Sequence, residues 1–251
     1  MEWVDEGVII GTRRHGEAGV IVDVFTRGRG RHLGIVRGGQ SSRMRACLQI
    51  GNAVRATWRA RLEDHLGAYQ IEPVRFRAAD LIQERGRLFA ALAAAGHARL
   101  LPERDPHPDL FDAFEHVLET ASLLDAAARL AWFEVQVLAE LGFGLDLESC
   151  AATGASDNLV YVSPKSGRAV SAEAGAPYRA KLLTLPPFLA DIHTTDADET
   201  DIAAAFRLTG HFLDRHLYTP RGIVPPVERA GLIQMITLGA TAAEVRTAAA
   251  S

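Results

Sequence analysis

The chain has 251 residues, 48% of them hydrophobic, enough to bury one large core or, more naturally, two or three smaller ones. Its first twenty residues include Glu2, Asp5, Glu6, Arg13, Arg14 and Glu17, which is not the basic start and apolar core that secretion requires, and uncharged stretches such as Ala230 to Ala243 fall short of the roughly 18 apolar residues of a membrane span. A cytoplasmic protein without a membrane segment is expected. The two cysteines, Cys47 and Cys150, are too far apart in sequence to suggest a disulfide framework or a cysteine-rich metal site.

From Trp3 to Arg77 the pattern is that of short strands. The β-branched runs Val8 to Ile10 and Val20 to Thr26 come first, followed by His32 to Val36, an alternating Ala53 to Arg59, and a fifth strand starting at Tyr69 to Glu72. Gly16 and Gly19, Gly28 and Gly30, and Gly38-Gly39 punctuate them. Five short strands in about 75 residues suggest a small antiparallel barrel. The OB-fold is the five-stranded barrel that binds oligonucleotides, although a small sandwich or an SH3-like barrel would read much the same.

After Phe76 the period becomes helical. One run opens at Asp80, with Leu81, Arg85, Leu88, Leu92 and Ala95 on a stripe and Gly96 closing it. A second spans Leu110 to Leu124, with Phe114, Val117, Leu118 and Ala121 on its stripe. A third spans Asp125 to Leu141, on Leu130, Phe133, Val137 and Leu141. Gly144 to Pro187 is irregular apart from a strand at Tyr161-Val162. Asp198 to Leu217 is helical again, and a short last helix covers Glu228 to Leu238.

Charge is distributed unevenly. Between Arg27 and Arg61 stand nine arginines and no Asp or Glu; set against a chain total of -4, they leave -13 for everything else. Nucleic-acid phosphate is the usual counterpart of such a band. Arg27, Arg29 and Arg31 fall in a glycine-interleaved hairpin turn, Arg43 and Arg45 in a polar loop, and Arg55, Arg59 and Arg61 at odd positions that share one strand face. His32 and Trp58 are candidate base-stacking groups, with the core as the commoner place for such a tryptophan. With only two lysines in the chain, an arginine-rich composition accounts for part of the count.

Catalytic signatures are scarce. Gly38-Gly39-Gln40-Ser41-Ser42 lacks a phosphate-binding lysine, Gly28-Arg29-Gly30 is too short for a dinucleotide fingerprint, and His211 and His216 are spaced five apart where paired metal ligands favour three or four. They read as surface histidines. No nucleophile elbow occurs, so no catalytic residue and no cofactor are expected.

Taken in order, several short motifs resemble the RecO family of bacterial recombination mediators. They are Glu6-Gly7-Val8-Ile9-Ile10, Gly16-Glu17, Asp23-Val24-Phe25-Thr26 with Gly30 beyond, Val36-Arg37-Gly38-Gly39 with Ser42-Arg43, Phe133-Glu134, Leu141-Gly142-Phe143-Gly144 and Cys150. The resemblance implies an α+β chain: an N-terminal five-stranded OB-fold barrel over 1–78, then a mainly α-helical domain over 79–251 with a zinc-ribbon-like insertion at 145–187. It further implies binding of single- and double-stranded DNA, annealing of complementary strands, and help to RecA in replacing single-strand-binding protein. The implied partners are RecR and the C-terminal tail of single-strand-binding protein, with Arg129 as an available cation on the helical domain, and the implied location is at the nucleoid. Relatives that hold zinc carry two Cys-x-x-Cys pairs. Here the corresponding positions are Cys150, Thr153, Ser171 and Ala174, so the resemblance carries the loop's shape without its metal, and the loop is expected to fold on Tyr161, Val162 and Val170. The expected DNA contacts are Arg27, Arg29, Arg31, Arg37, Arg43, Arg45, Arg55 and Arg59. An interaction scaffold whose barrel binds an acidic protein tail is the competing reading; a nuclease or deaminase hidden among the histidines and carboxylates is a third.

Overall fold

The computed structural model describes residues 1–62, 64–190 and 197–249, with side chains of the last helix described as far as Leu238. Two compact units divide the chain, Met1–Glu119 and Thr120–Ser251.

In the first unit the five expected strands are present: β1 (Glu2–His15), β2 (Gly19–Thr26), β3 (Gly30–Val36), β4 (Ala53–Arg59) and β5 (Ala68–Arg75). They close into a barrel in the order β1-β2-β3-β5-β4, with β1 returning to pair with β4. All pairings are antiparallel except β3 with β5, where Ile35 faces Ala68 and Val36 faces Tyr69. That parallel step excludes a simple up-and-down meander. β1 is far longer than its apolar core suggests because it serves two partners. Its first half pairs with β4 from Glu2↔Arg59 to Val8↔Ala53, its second with β2 from Gly7↔Thr26 to His15↔Gly19, and a register shift at Ile9 to Gly11 bends it between them. Ile9, Val22, Val24, Val54, Ala56, Trp58 and Tyr69 fill the interior.

Short helices complete the unit: α1 (Ser42–Cys47), α2 (Ala78–Leu81), α3 (Arg85–Ala98) and α4 (Pro108–Leu118). The helical run expected from Asp80 is thus two helices, and its stripe is corrected. Leu88 and Leu92 are only half-buried, whereas Ala90, Ala91, Ala93, Ala94, Ala95 and Ala98 are fully buried. Alanine lets a helix backbone approach its neighbours closely, so the small side chains form the inner face. β2 is buried on both sides because α4 covers its outer face, with Phe25 edge-on to Phe111 and Phe114 at 5.4 and 5.9 Å. Arg75 binds Glu119 at 2.8 Å and Arg77 binds Glu115. These contacts carry the first compact unit on to Glu119, so that it takes in the barrel together with α2, α3 and α4.

The second unit begins with α5 (Leu123–Glu140), capped by Ser122, whose hydroxyl accepts from the Asp125 amide at 3.2 Å. Leu124 therefore belongs to this helix, and Ala121, expected on the preceding stripe, lies exposed between helices. The irregular segment holds a three-stranded sheet in the order β7-β6-β8, from β6 (Leu159–Val162), β7 (Ala169–Ser171) and β8 (Leu183–Thr184). Val162 and Val170 are buried there, as expected. Further helices are α6 (Ala172–Gly175), α7 (Pro187–Ala190), α8 (Glu199–Leu213), α9 (Thr219–Arg221) and α10 (Val227–Ala249), the last much longer than the sequence suggests. α8 runs through a wide turn at Asp214–Tyr218, so helical structure reaches past Leu217.

α5, α8 and α10 meet around one buried charge pair. Arg229 of α10 donates to both carboxylate oxygens of Glu134 (2.7 and 3.0 Å), to the Phe206 carbonyl and to the Thr209 hydroxyl, and Glu134 is fully buried. A buried carboxylate persists only with such a complement of donors. Among the described residues no helix is long and apolar enough to cross a membrane.

Candidate nucleic-acid interface

The β2–β3 hairpin carries Arg27 and Arg29 outward on a tight turn. Gly30 adopts φ +65°, and a Cβ there would lie 1.9 Å from the Asp105 carbonyl oxygen, so the turn requires glycine at that point. The arginines it displays are not equivalent. Arg27 pairs with Asp112 at 2.6 Å, while Arg29 is exposed with no ion pair among the described residues.

Three other members of the expected set are also paired. Arg55 with Glu6 (2.9 Å) and Arg59 with Glu2 (2.8 Å) are cross-strand neighbours, set opposite each other by the β1–β4 register. Both arginines do lie on one outward strand face, as the odd spacing predicts; Arg61 falls beyond the strand. Arg31 is corrected from an exposed contact to an internal one. Only 17% of its side chain is exposed, its Nε sits 2.9 Å from Asp23, and its Nη1 donates to the Leu101 carbonyl. Burial pushes the Asp23 carboxyl up to about 6 against the pull of Arg31.

Arg29, Arg37, Arg43 and Arg45 remain exposed and without an ion pair among the described residues. Arg43 and Arg45, expected in a loop, instead ride on α1. Ser41 caps that helix, Met44, Cys47 and Leu48 turn at i, i+3 and i+4 toward the barrel core, and Arg43 and Arg45 flank that face, both exposed. Buried Asn52 fixes its end, donating to the Ala46 and Cys47 carbonyls (2.9 and 3.0 Å) and accepting from the Ala78 amide.

Two clefts adjoin these groups. One of about 210 Å³ is lined by Thr12, Arg13, Asp23, Arg31 and Arg99; another of about 280 Å³ by Thr12, Arg13, Arg14, Gln40 and Arg45. Sharing Thr12 and Arg13, they form one cationic track across the end of β1. Arg13, Arg14 and Arg99 were not singled out by the sequence reading. The first two precede Glu17, outside the acid-free window, and Arg99 arrives from the end of α3.

Both candidate stacking groups are core. His32 is 3% and Trp58 1% exposed, with the Trp58 indole donating to the Leu66 carbonyl, and burial lowers the His32 imidazole to about 4, leaving it neutral. In the second unit, His211 and His216 are half-buried instead of surface groups: His211 meets the Pro164 carbonyl at 3.1 Å and His216 stacks on Phe143 at 4.6 Å. Arg129 is engaged with Asp125 at 2.9 Å. Of the positions Cys150, Thr153, Ser171 and Ala174, the first three meet. The buried Cys150 sulfur accepts from the Ser171 amide (3.3 Å) and meets its hydroxyl (3.5 Å), and the Thr153 hydroxyl also reaches it. One thiol among neutral hydroxyls is not a zinc donor set.

Fold and surface together define an α+β protein in which a small closed barrel presents unpaired arginines and a helical unit follows. Residues 1–77 match the family model described as Recombination protein O N terminal, and residues 87–222 the one described as Recombination protein O C terminal. Proteins named DNA repair protein RecO are similar over most of their length. The one from Rhizobium etli is 55% identical over 93% of this chain and 92% of its own; that of Brucella abortus is 52% identical over 94% and 96%; that of Bradyrhizobium diazoefficiens is 52% identical over 94% and 96%. The chain belongs to the RecO family.

Proposed function

We propose that this chain is a non-enzymatic DNA-repair mediator that binds single- and double-stranded DNA, anneals complementary strands and helps RecA replace single-strand-binding protein. The observation that carries the reading is the cationic track lined by Arg13, Arg14, Arg45 and Arg99, together with Arg37 and Arg43, which are exposed and without an ion pair among the described residues. Annealing requires two phosphate backbones to be neutralised together, which an extended cationic surface accomplishes without a catalytic group. The relatives' name, DNA repair protein, points the same way. On this reading the barrel is of the OB type, RecR and the tail of single-strand-binding protein are the protein partners, the 145–187 loop holds no zinc, and the protein works at the nucleoid in the cytoplasm.

The test is titration of fluorescent single- and double-stranded oligonucleotides across a salt series, with annealing of complementary strands followed in parallel. Affinity that falls steeply with salt, together with accelerated annealing, is expected. Salt-insensitive or absent DNA binding alongside capture of an acidic peptide by the barrel would favour the scaffold instead.

A further inference from the structure

A third cleft, of about 330 Å³, lies on the barrel away from the arginines of α1, with Trp3, Gly28, Arg29, His32, Trp58 and Arg104 in its wall. Its floor is aromatic. Trp3 lies 5.9 Å from Trp58, nearly parallel at 17°, and edge-on to His32 at 5.0 Å; Trp58 and His32 are buried, so Trp3 is the half-exposed ring of the stack. Its rim is cationic. Arg29 is exposed and carries no ion pair among the described residues, while Glu2, which also borders the cleft, is turned onto Arg59 at 2.8 Å.

Arg104 adds an independent observation. It stands at φ +65°, a left-handed conformation that a residue with a side chain rarely adopts and that structures retain where something over-determines it. Its amide donates to the Arg31 carbonyl (2.7 Å) and its Nη2 to the His65 carbonyl (3.0 Å), while its Nε is buried without a hydrogen-bond partner among the described residues. The chain therefore holds a strained arginine in the wall of a cleft with an aromatic floor.

We infer that this cleft receives one unstacked nucleotide of a DNA single strand, its base lying on the Trp3 ring and its phosphate between Arg29 and Arg104. The volume is at the small end of ligand-sized clefts, which begin at roughly 300 Å³, and suits one nucleotide instead of a run of them. A base within a duplex hides both faces in the stack, so the cleft discriminates for single strands without reading sequence. The inference deepens the DNA-binding reading and rests on it: the track supplies phosphate contacts, this cleft a base contact.

The experiment compares binding of the full chain to a thymidine 30-mer, to its circular form, and to a 30-mer of abasic residues with the same phosphates. The base-bearing strand should bind about tenfold tighter than the abasic one, as expected for one stacked base. Trp3→Leu should bring that ratio below about two with the salt slope unchanged. Because Trp3 also packs on the core, its melting temperature is measured beside it, and Arg104→Gln, which leaves the aromatic floor in place, gives a second reading. That variant should weaken binding to both strands and flatten the slope of log affinity against log salt by about 0.7. The circular strand should keep the preference. Equal binding of thymidine and abasic strands by the unmodified protein, an unchanged slope in Arg104→Gln, or a full preference retained by folded Trp3→Leu would each overturn the inference. A preference lost on circularisation would assign the cleft to strand ends and overturn it as stated. Binding to neither strand would overturn the DNA reading itself, a result distinct from equal binding to both.

Discussion

Arg43 and Arg55 stand twelve residues apart in one acid-free stretch, yet their surroundings are opposite. Arg55 faces Glu6 across the β1–β4 ladder and binds it at 2.9 Å, whereas Arg43 projects from a short helix with no ion pair among the described residues. The same division runs through the rest of the band. Arg27, Arg31 and Arg59 have acids brought to them by a neighbouring element, and Arg29, Arg37 and Arg45 have none among the described residues. A window free of acids in sequence is not free of them in space, because strand pairing imports Glu2 and Glu6 from some fifty residues away. Free arginines can give their charge to phosphate at once; paired ones must first surrender a partner, and buried ones cannot.

The comparison is sharpest at its extreme, the Arg229–Glu134 pair of the second unit. Glu134→Ala should cost about 3–5 kcal/mol of stability, since it strands a buried guanidinium. Chemical denaturation measures this, and replacing both residues by apolar ones of similar volume should recover much of the loss. On the barrel the largest effect should come from reversing free charges. Arg43→Glu with Arg45→Glu is expected to reduce single-strand affinity on the order of a hundredfold and to abolish annealing, with the melting temperature preserved because α1 is anchored by Met44, Cys47 and Asn52 and not by these two side chains. An unchanged affinity would remove α1 from the DNA site.

Asp23 tests the buried end of the band. Its carboxyl is raised to about 6, above the ordinary 3.8, so charging it disfavours the folded state. Its contribution to stability should therefore decline as pH rises from about 4 to about 6 and stay level above that, by about 3 kcal/mol in all. Asp23→Asn should flatten this decline. Parallel pH profiles for the two proteins would mean that the carboxyl is not perturbed. Smaller again, Arg29→Ala should weaken binding severalfold, equally for unrelated sequences, and flatten the salt slope by about 0.7, because a phosphate contact carries no base information.

Much of the fold was legible in the sequence, for identifiable reasons. β-branched runs and glycine punctuation marked the first three barrel strands, alternation marked the fourth and the start of the fifth, and the apolar stripe Leu130, Phe133 and Val137 marked α5. Features that depend on a distant partner were not legible. The first strand run, Val8 to Ile10, gives no sign that β1 begins at Glu2, because its charged start is held by the arginines of β4. The inner face of α3 is mostly alanine, with Gly86 and His97, so the stripe of Leu88 and Leu92 does not mark it, and α1 hides Met44 and Cys47 among arginines. The role of Glu134 emerges only when Arg229 arrives from ninety-five residues away. At the site, the basic band was found, but which half of it is free was not. Arg13, Arg14, Arg99 and Arg104 join that surface by folding alone, and of the aromatic cluster the sequence pointed to the two buried rings and passed over the accessible Trp3.

Free arginines, and not paired ones, are expected to hold the DNA, and one measurement separates the two sets. Two triple variants, Arg37→Ala/Arg43→Ala/Arg45→Ala and Arg27→Ala/Arg55→Ala/Arg59→Ala, remove the same formal charge, and the slope of log affinity against log salt on a single strand counts the phosphate contacts each has lost. Removing the free set should flatten that slope by about 2, at roughly 0.7 per contact, and removing the paired set by less than about 0.7. Equal flattening by the two variants, with both folded, would contradict the account.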